Sequence, residues 1–159
     1  MDGLRITVEP LADIAAAAAL WRELEPRADG SFFTSWLWVG TWLDATAIEP
    51  LLVTAHDGAR PIAAGLFAGA ARGRRLLHET GSAAWDRLTI EYNDLLVAHD
   101  AARDPRPDCL AALVGQATRE IGLGGVDRRW LAAAARLSRA ASRVVKRRSS
   151  AATAVERRA

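Results

Sequence analysis

Leu51-Leu52-Val53-Thr54-Ala55-His56-Asp57-Gly58-Ala59-Arg60-Pro61-Ile62-Ala63-Ala64-Gly65-Leu66-Phe67 sets two apolar runs on either side of an Asp57-Gly58 pair. Asp-Gly between two such runs is a strong hairpin signal, because glycine accepts the positive φ that a two-residue turn requires. The reading is therefore an antiparallel pair, and the neighbouring sequence extends it. Arg74-Arg75-Leu76-Leu77-His78 reads as a further strand, and Leu88-Thr89-Ile90-Glu91-Tyr92-Asn93-Asp94-Leu95-Leu96-Val97 contains another. Upstream, Leu4-Arg5-Ile6-Thr7-Val8 alternates apolar and polar residues before Pro10, which marks a short strand.

Helices fill the intervals. Over residues 11–27, Ile14, Ala17, Trp21 and Leu24 recur at helical spacing and stop near Pro26 and Gly30. Ser35 is placed to cap a second short helix that holds three of the six tryptophans, Trp36, Trp38 and Trp42. Past a turn-rich stretch at 100–107, Leu110, Leu113, Val114, Ala117 and Ile121 predict a helix over 109–121, halted by Gly122 and Gly124. Strand, two helices, antiparallel meander and helix make an α+β fold with a mainly antiparallel sheet flanked by helices, followed by a basic helical tail. The expected core is Ile6, Val8, Leu20, Leu24, Leu52, Val53, Ile62, Leu66, Phe67, Leu95, Val97, Leu113 and Val114.

Composition narrows the chemistry. The 159 residues suit one domain, and the single cysteine, Cys109, excludes an intramolecular disulfide framework and a cysteine-cluster metal site. His56, His78 and His99 lack ligand spacing, so no metal is expected. No apolar run approaches the roughly 20 residues of a membrane span, and the first residues lack the basic start and apolar stretch of a secretory signal; the expected location is cytoplasmic. Charge is divided unevenly: residues 1–126 hold 11 Arg against 17 acidic residues, and residues 127–159 hold 10 basic against 2 acidic residues. A basic arm on an acidic body has the electrostatics to bind an anionic partner, nucleic acid or membrane. The 20 Arg to 1 Lys ratio and the 34 Ala also fit a GC-rich coding bias, which inflates basic patches without selection for binding.

The element order, with SFFTSWLWVGTWLDAT, EPLLVTAHDGARPIAAGLFAGAARGRRLLHETGS and DRLTIEYNDLLV, resembles the amino-terminal half of GNAT-type acyltransferases of the CelD-like group, related to FemAB-like tandem proteins; the resemblance covers residues 4–122. It implies a parent activity of acyl transfer from acetyl-CoA or another acyl-CoA to an amine or hydroxyl acceptor. It also implies a second GNAT half as partner, which carries most of the acyl-CoA binding, so no cofactor is expected for this chain alone. A GNAT fold holds the CoA pyrophosphate on backbone N–H groups at the start of a helix that follows a central strand. The corresponding stretch, residues 98–108, offers no glycine, two prolines without N–H, and Asp100, Asp104 and Asp108, which read as charges favouring a helix start. Arg119-Glu120-Ile121-Gly122-Leu123-Gly124 matches the family's Arg/Gln-x-x-Gly-x-Gly pyrophosphate pattern, which makes Arg119, Gly122 and Gly124 cofactor-binding candidates. On the helix expected over 109–121 the pattern would instead be a glycine-terminated helix end.

Glu91 is a candidate general base and Tyr92 a candidate proton donor, since amine acylation must first deprotonate the attacking ammonium. Strand alternation supports the plainer alternative, with Tyr92 packed on the meander and Glu91 and Asn93 facing solvent. Asp86 and Asn93 join Trp36 as candidates for a substrate groove, Trp36 lying opposite Trp38 on the helix while Trp38 and Trp42 share a core face. Cys109 with His78 or His99 could form a nucleophile pair, although a lone cysteine on an apolar helix face reads first as a small core residue.

The tail over 127–159 sets Trp130, Ala134, Leu137, Ala141, Val144 and Val145 against Arg129, Arg136, Arg139, Arg143, Lys146 and Arg147 as one cationic amphipathic helix. Such a pattern most often means a solvated basic face over an apolar stripe docked on the body; the tail is nonetheless expected to pack poorly, as an appendage, with disorder or a frameshift beyond the point where the resemblance ends as further explanations.

Overall fold

The computed structural model describes residues 3–86, 90, 92–116, 118–140 and 144–148. Arg5–Pro10 is β1, Ile14–Leu24 is α1, Trp36–Thr46 is α2, Leu51–Asp57 is β2 and Arg60–Ala70 is β3. Arg74–Leu77 is β4, Leu96–Val97 is β5, Arg106–Gly115 is α3, Glu120–Gly124 is β6, Arg128–Ala140 is α4 and Val144–Arg148 is β7. One open sheet runs β1-β2-β3-β4-β6-β7, with β5 also paired to β3. The pairs among β1 to β5 are antiparallel, whereas β4–β6 and β6–β7 are parallel. The fold is α+β with a mostly antiparallel sheet, as the sequence predicts. Its parallel edge arises because α3 and α4 act as crossovers between strands.

The hairpin forms where Asp-Gly places it: Asp57 pairs with Arg60 and Gly58 takes φ +60°, a conformation that glycine adopts without steric cost. β3 is the central strand, and every residue from Pro61 to Ala68 is buried, which requires cover on both faces. Asp13 caps α1 through Ala16 N–H, and Ser35 caps α2 through Trp38 N–H. α1 sends Trp21 into the core, its indole N–H donating to the Thr34 carbonyl at 2.9 Å and its ring lying 5.6 Å from that of Trp36. Of the expected core, Leu24, Val53, Ile62, Leu66, Phe67, Leu95 and Leu113 are buried, and Ile6, Val8, Leu20, Leu52, Val97 and Val114 pack half-buried against them.

Three expectations are corrected. The helix read over 109–121 begins at Arg106 and ends at Gly115, because Pro107 fits the first turn, where its missing N–H is no loss. Glu120–Gly124 is instead a buried strand, and Gly122 serves close packing: a Cβ there would lie 2.3 Å from Leu76 Cδ2. Helical spacing had continued through Ile121 only because apolar residues fall at intervals that both periods share, and hydrogen bonding to β4 outweighs it. The strand expected within 88–97 is Leu96–Val97 and leaves out Tyr92 and Asn93, which the expectation had placed in it; Leu88, Thr89 and Glu91 lie outside the described residues.

The tail does not pack poorly over its described part. Trp130 is fully buried with Val126 and Ala133, and Leu137 packs against the same core, while Arg129 and Arg136 stay exposed. The single long helix is also corrected: α4 ends at Ala140, and Val144–Arg148 is a strand parallel to β6, as two adjacent β-branched residues favour beside an open strand edge. Ala141, Arg143 and residues 149–159 lie outside the described residues.

Trp130→Ala should therefore cost about 3–5 kcal/mol, a large share of the roughly 5–15 kcal/mol that holds a domain together. Truncation after Gly124 should abolish the cooperative denaturant transition. A truncated chain that unfolds with the midpoint of the full chain would return the tail to the status of an appendage.

Candidate functional site

β4 and β5 are two pieces of one strand position. β4 pairs with β3 from Ala70 back to Phe67, and β5 resumes the same direction at Ala64 and Ala63. Between them the chain leaves the sheet at residue 78 and returns at 95. His78 makes the exit with φ +49°. Its backbone N–H still donates to the Leu66 carbonyl at 3.0 Å, and its ring Nε2 accepts the Leu66 N–H at 3.1 Å, in place of the carbonyl a continuing strand would offer. Nδ1 must then carry the proton, which it donates to Asn93 Oδ1 at 3.0 Å. The Asn93 amide donates to the carbonyls of Leu77 at 2.8 Å and Gly124 at 3.0 Å. His78 and Asn93, both 1% exposed, thus staple β3, β4 and β6 together at the break. Burial drives the His78 ring down from 6.5 to about 4, against a smaller upward pull from the Asn93 hydrogen bond.

The excursion builds one side of a cavity and α2 builds the other. Trp38, Thr41, Trp42, Ala45 and Thr46 face His78, Glu79, Trp85, Asp86 and Ile90 around about 170 Å³, room for five or six water-sized volumes. Trp42 meets the His78 ring edge to face at 6.3 Å, and Trp85, 52% exposed, stands at the open side. Asp86 holds the excursion in shape. Its carboxylate accepts Thr80 N–H and Thr80 Oγ1 at 2.8 Å each and Gly81 N–H at 2.7 Å.

A second polar centre lies at the start of α3. Arg106, 4% exposed, donates from Nε to Asp94 Oδ1 at 2.8 Å, from Nη2 to Asp94 Oδ2 at 2.5 Å and from Nη1 to Asp104 Oδ1 at 2.8 Å. The Trp130 indole N–H donates to Asp94 Oδ1 at 2.7 Å, and the Arg106 guanidinium lies over the Trp130 ring. Burial works against the Arg106 charge, but the hydrogen bonds and charges of Asp94 and Asp104 outweigh it and hold its pKa above the ordinary value. Asp100 pairs with Arg60 and Arg27, and Asp108 with Arg103. Two further depressions of about 200 and 190 Å³ flank this centre. The first is lined by Asp29, Asp94, Asp127 and Arg129 among its charged groups, the second by Asp29, Asp94, Asp104, Arg103, Arg106 and Arg129. Neither has an excess of positive charge, and a pyrophosphate would meet carboxylates at both. The residues at this helix start do not fit CoA.

The sequence candidates separate accordingly. Asp86 lines the tryptophan cavity, but Asn93 is a structural clasp turned inward and Tyr92 is 72% exposed, which reverses the alternation expected of a strand. The reason is that residues 92–95 are not sheet: Tyr92 has φ +55°, and Asn93 N–H bonds the Gly125 carbonyl. Tyr92 borders the first polar depression, away from Glu79 and Trp85; Glu91 is outside the described residues. Trp36 packs on Trp21 and borders none of the three cavities, while Trp38 and Trp42, expected in the core, line the first. Gly122 and Gly124 lie inside β6, where a Cβ would strike Leu76 or the Glu79 carboxylate, and Arg119 immediately precedes the strand. Trp85 was the residue missed, and His78 was read only as a possible partner of Cys109. Neither has a sequence signal, since only the strand break brings them to α2.

Cys109 is buried, and burial, aided by Asp108 and Asp104, pushes its thiol up to about 12. His78 is committed to Leu66 and Asn93, so the nucleophile pair has no basis in geometry. Among the described residues no group of three or more His, Cys, Asp or Glu could hold a metal ion, and no helix is long and apolar enough to cross a membrane. Comparison with profiles of known protein families, with characterised proteins and with solved structures returns no match.

Two outcomes follow from the buried groups. Native Cys109 should resist a disulfide exchange reagent at pH 8 and react once the chain is denatured, since only the thiolate attacks. His78 is neutral when folded, so its contribution to stability is full above pH 6.5 and is lost as pH falls toward about 4. At about 1.4 kcal/mol per pKa unit the loss approaches about 3 kcal/mol. Melting curves from pH 7.5 to 4.5 should show this decline, and it should flatten in His78→Gln; an equal decline in both would assign it to other groups.

Proposed function

We propose that the chain is the acceptor-binding half of an acyl-transfer protein of the CelD-like GNAT type. The tryptophan cavity holds the amine- or hydroxyl-bearing acceptor, and a second GNAT half supplies the acyl-CoA site. A cytoplasmic location belongs to the same reading. What supports it is the contrast between the two centres. The cavity at the strand break is open and walled by Trp38, Trp42 and Trp85, whereas the start of α3 is neutralised from within by Asp94, Asp104 and Arg106. An anionic cofactor gains from a helix start only where N–H groups and positive charge are unopposed. The element order carries the rest of the reading, through the resemblance of residues 4–122. Calorimetric titration of the full chain with acetyl-CoA is expected to show no saturable heat. Saturable binding would mean that the chain has its own donor site and would overturn the division of labour.

A further inference from the structure

We propose that the end of the sheet where β4 and β6 begin is a docking surface for the phosphate backbone of a nucleic acid, a role separate from the tryptophan cavity and from the acyl-transfer reading. Three arginines come together there. Arg72 lies in the short turn that leads into β4, with φ +63°, and Arg75 lies within β4. Arg119 immediately precedes β6, and its backbone N–H ties it to that turn by donating to the Gly73 carbonyl at 2.8 Å. The first parallel pairs, Arg74 with Glu120 and Arg75 with Ile121, hold the two segments side by side. Arg72 and Arg119 are exposed, whereas Arg75 is half-buried. Its guanidinium reaches over Gly69, where a Cβ would lie 2.8 Å from Nη1, so the glycine leaves it room against the backbone.

The charge of these three is not cancelled. Arg27, Arg60, Arg74, Arg103, Arg106 and Arg129 each have a carboxylate partner. Among the described residues, the side chains of Arg72, Arg75 and Arg119 have neither an ion pair nor a hydrogen bond. Glu120 is the one carboxylate within residues 70–77 and 118–124, and Arg74 already holds it at 3.1 Å. The sequence neighbours outside the described residues, Ala117 before β6 and Ala141, Ser142 and Arg143 before β7, bring no carboxylate. A coding bias raises the number of arginines, but it does not gather unpaired ones at one end of a sheet.

The guanidinium is a planar fork that matches two phosphate oxygens. Arg72, Arg75 and Arg119 border none of the three cavities, so a small phosphate ester would find no enclosure here. A repeating anion instead gains from several exposed contacts at once, through the counterions it releases. Such contacts position a nucleic-acid backbone without reading its sequence. An interfacial membrane contact asks for apolar anchors beside the charge. Among the described residues the large exposed apolar side chains are Ile14, Phe32, Leu37, Trp85, Tyr92 and Leu131, all in other segments.

Fluorescence anisotropy of a labelled DNA duplex of arbitrary sequence, titrated with the full chain over a series of salt concentrations, tests this. The combined variant Arg72→Gln, Arg75→Gln and Arg119→Gln should bind at least about tenfold more weakly at low salt, and the slope of log K against log salt should shrink by roughly 2 to 3, close to one per phosphate contact. A control that removes as many exposed charges elsewhere, Arg5→Gln, Arg22→Gln and Arg128→Gln, should keep most of the affinity and slope, with the rest of the tail unchanged in both. Gly69→Ala keeps every charge but takes the space beside Arg75 Nη1, and it should weaken binding by a smaller factor. No binding by the unaltered chain, equal losses in the test and control variants, or an unchanged slope in the test variant would overturn the proposal. Phosphatidylserine vesicles bound in preference to the duplex would also overturn it and make the surface a membrane contact. Unaltered affinity in Gly69→Ala would overturn the seating of Arg75.

Discussion

The Leu66 N–H and carbonyl are the point on which the site depends. They sit in the most buried strand of the sheet, where an unpaired backbone group costs about 1–3 kcal/mol. A second strand passing straight along β3 would satisfy them and leave no cavity. His78 satisfies them alone, with its own N–H and its ring, and so frees the chain to leave the sheet after Leu77. Asn93 then closes the gap by tying the ends of β4 and β6. Every candidate ligand contact contributed by the excursion follows from that substitution of a side chain for a strand.

The Asp94, Arg106 and Trp130 cluster performs the complementary task on the other side of the return. Asp94 follows Asn93 directly, so the residue next to the one that closes the excursion anchors α3 and α4. A carboxylate with two guanidinium bonds and an indole bond stabilises the fold only while all its partners are present, because a buried charge left alone costs several kcal/mol. Arg106 is consequently committed to structure. An arginine at a helix start thereby leaves no positive field for a phosphate.

The two centres also account for the charge distribution. Much of the acidity near the start of α3 is paired internally, with Arg60, Arg103 and Arg106. The described part of the basic tail is drawn in by apolar contact through Trp130 rather than by its charge, since exposed ion pairs contribute little each.

The local signals alone determined the hairpin at Asp57-Gly58, the capped helix after Ser35, the apolar stripe of α1 and the alternation of β1, because each depends on the conformational preference of a few adjacent residues. They also determined the α+β class, since period-two and helical-period segments follow one another along the chain. Tertiary structure decided whether Glu120–Gly124 is helix or strand, since a five-residue apolar segment fits either until β4 offers it hydrogen bonds. It decided that Trp38 and Trp42 line a cavity while Trp36 packs on Trp21, because helical spacing defines a face and not what that face meets. The pairing of His78 with Leu66 and Asn93 had no sequence signal at all. It joins residues 12 and 15 positions apart, and only the register of β3 against β4 brings a ring nitrogen to the Leu66 N–H.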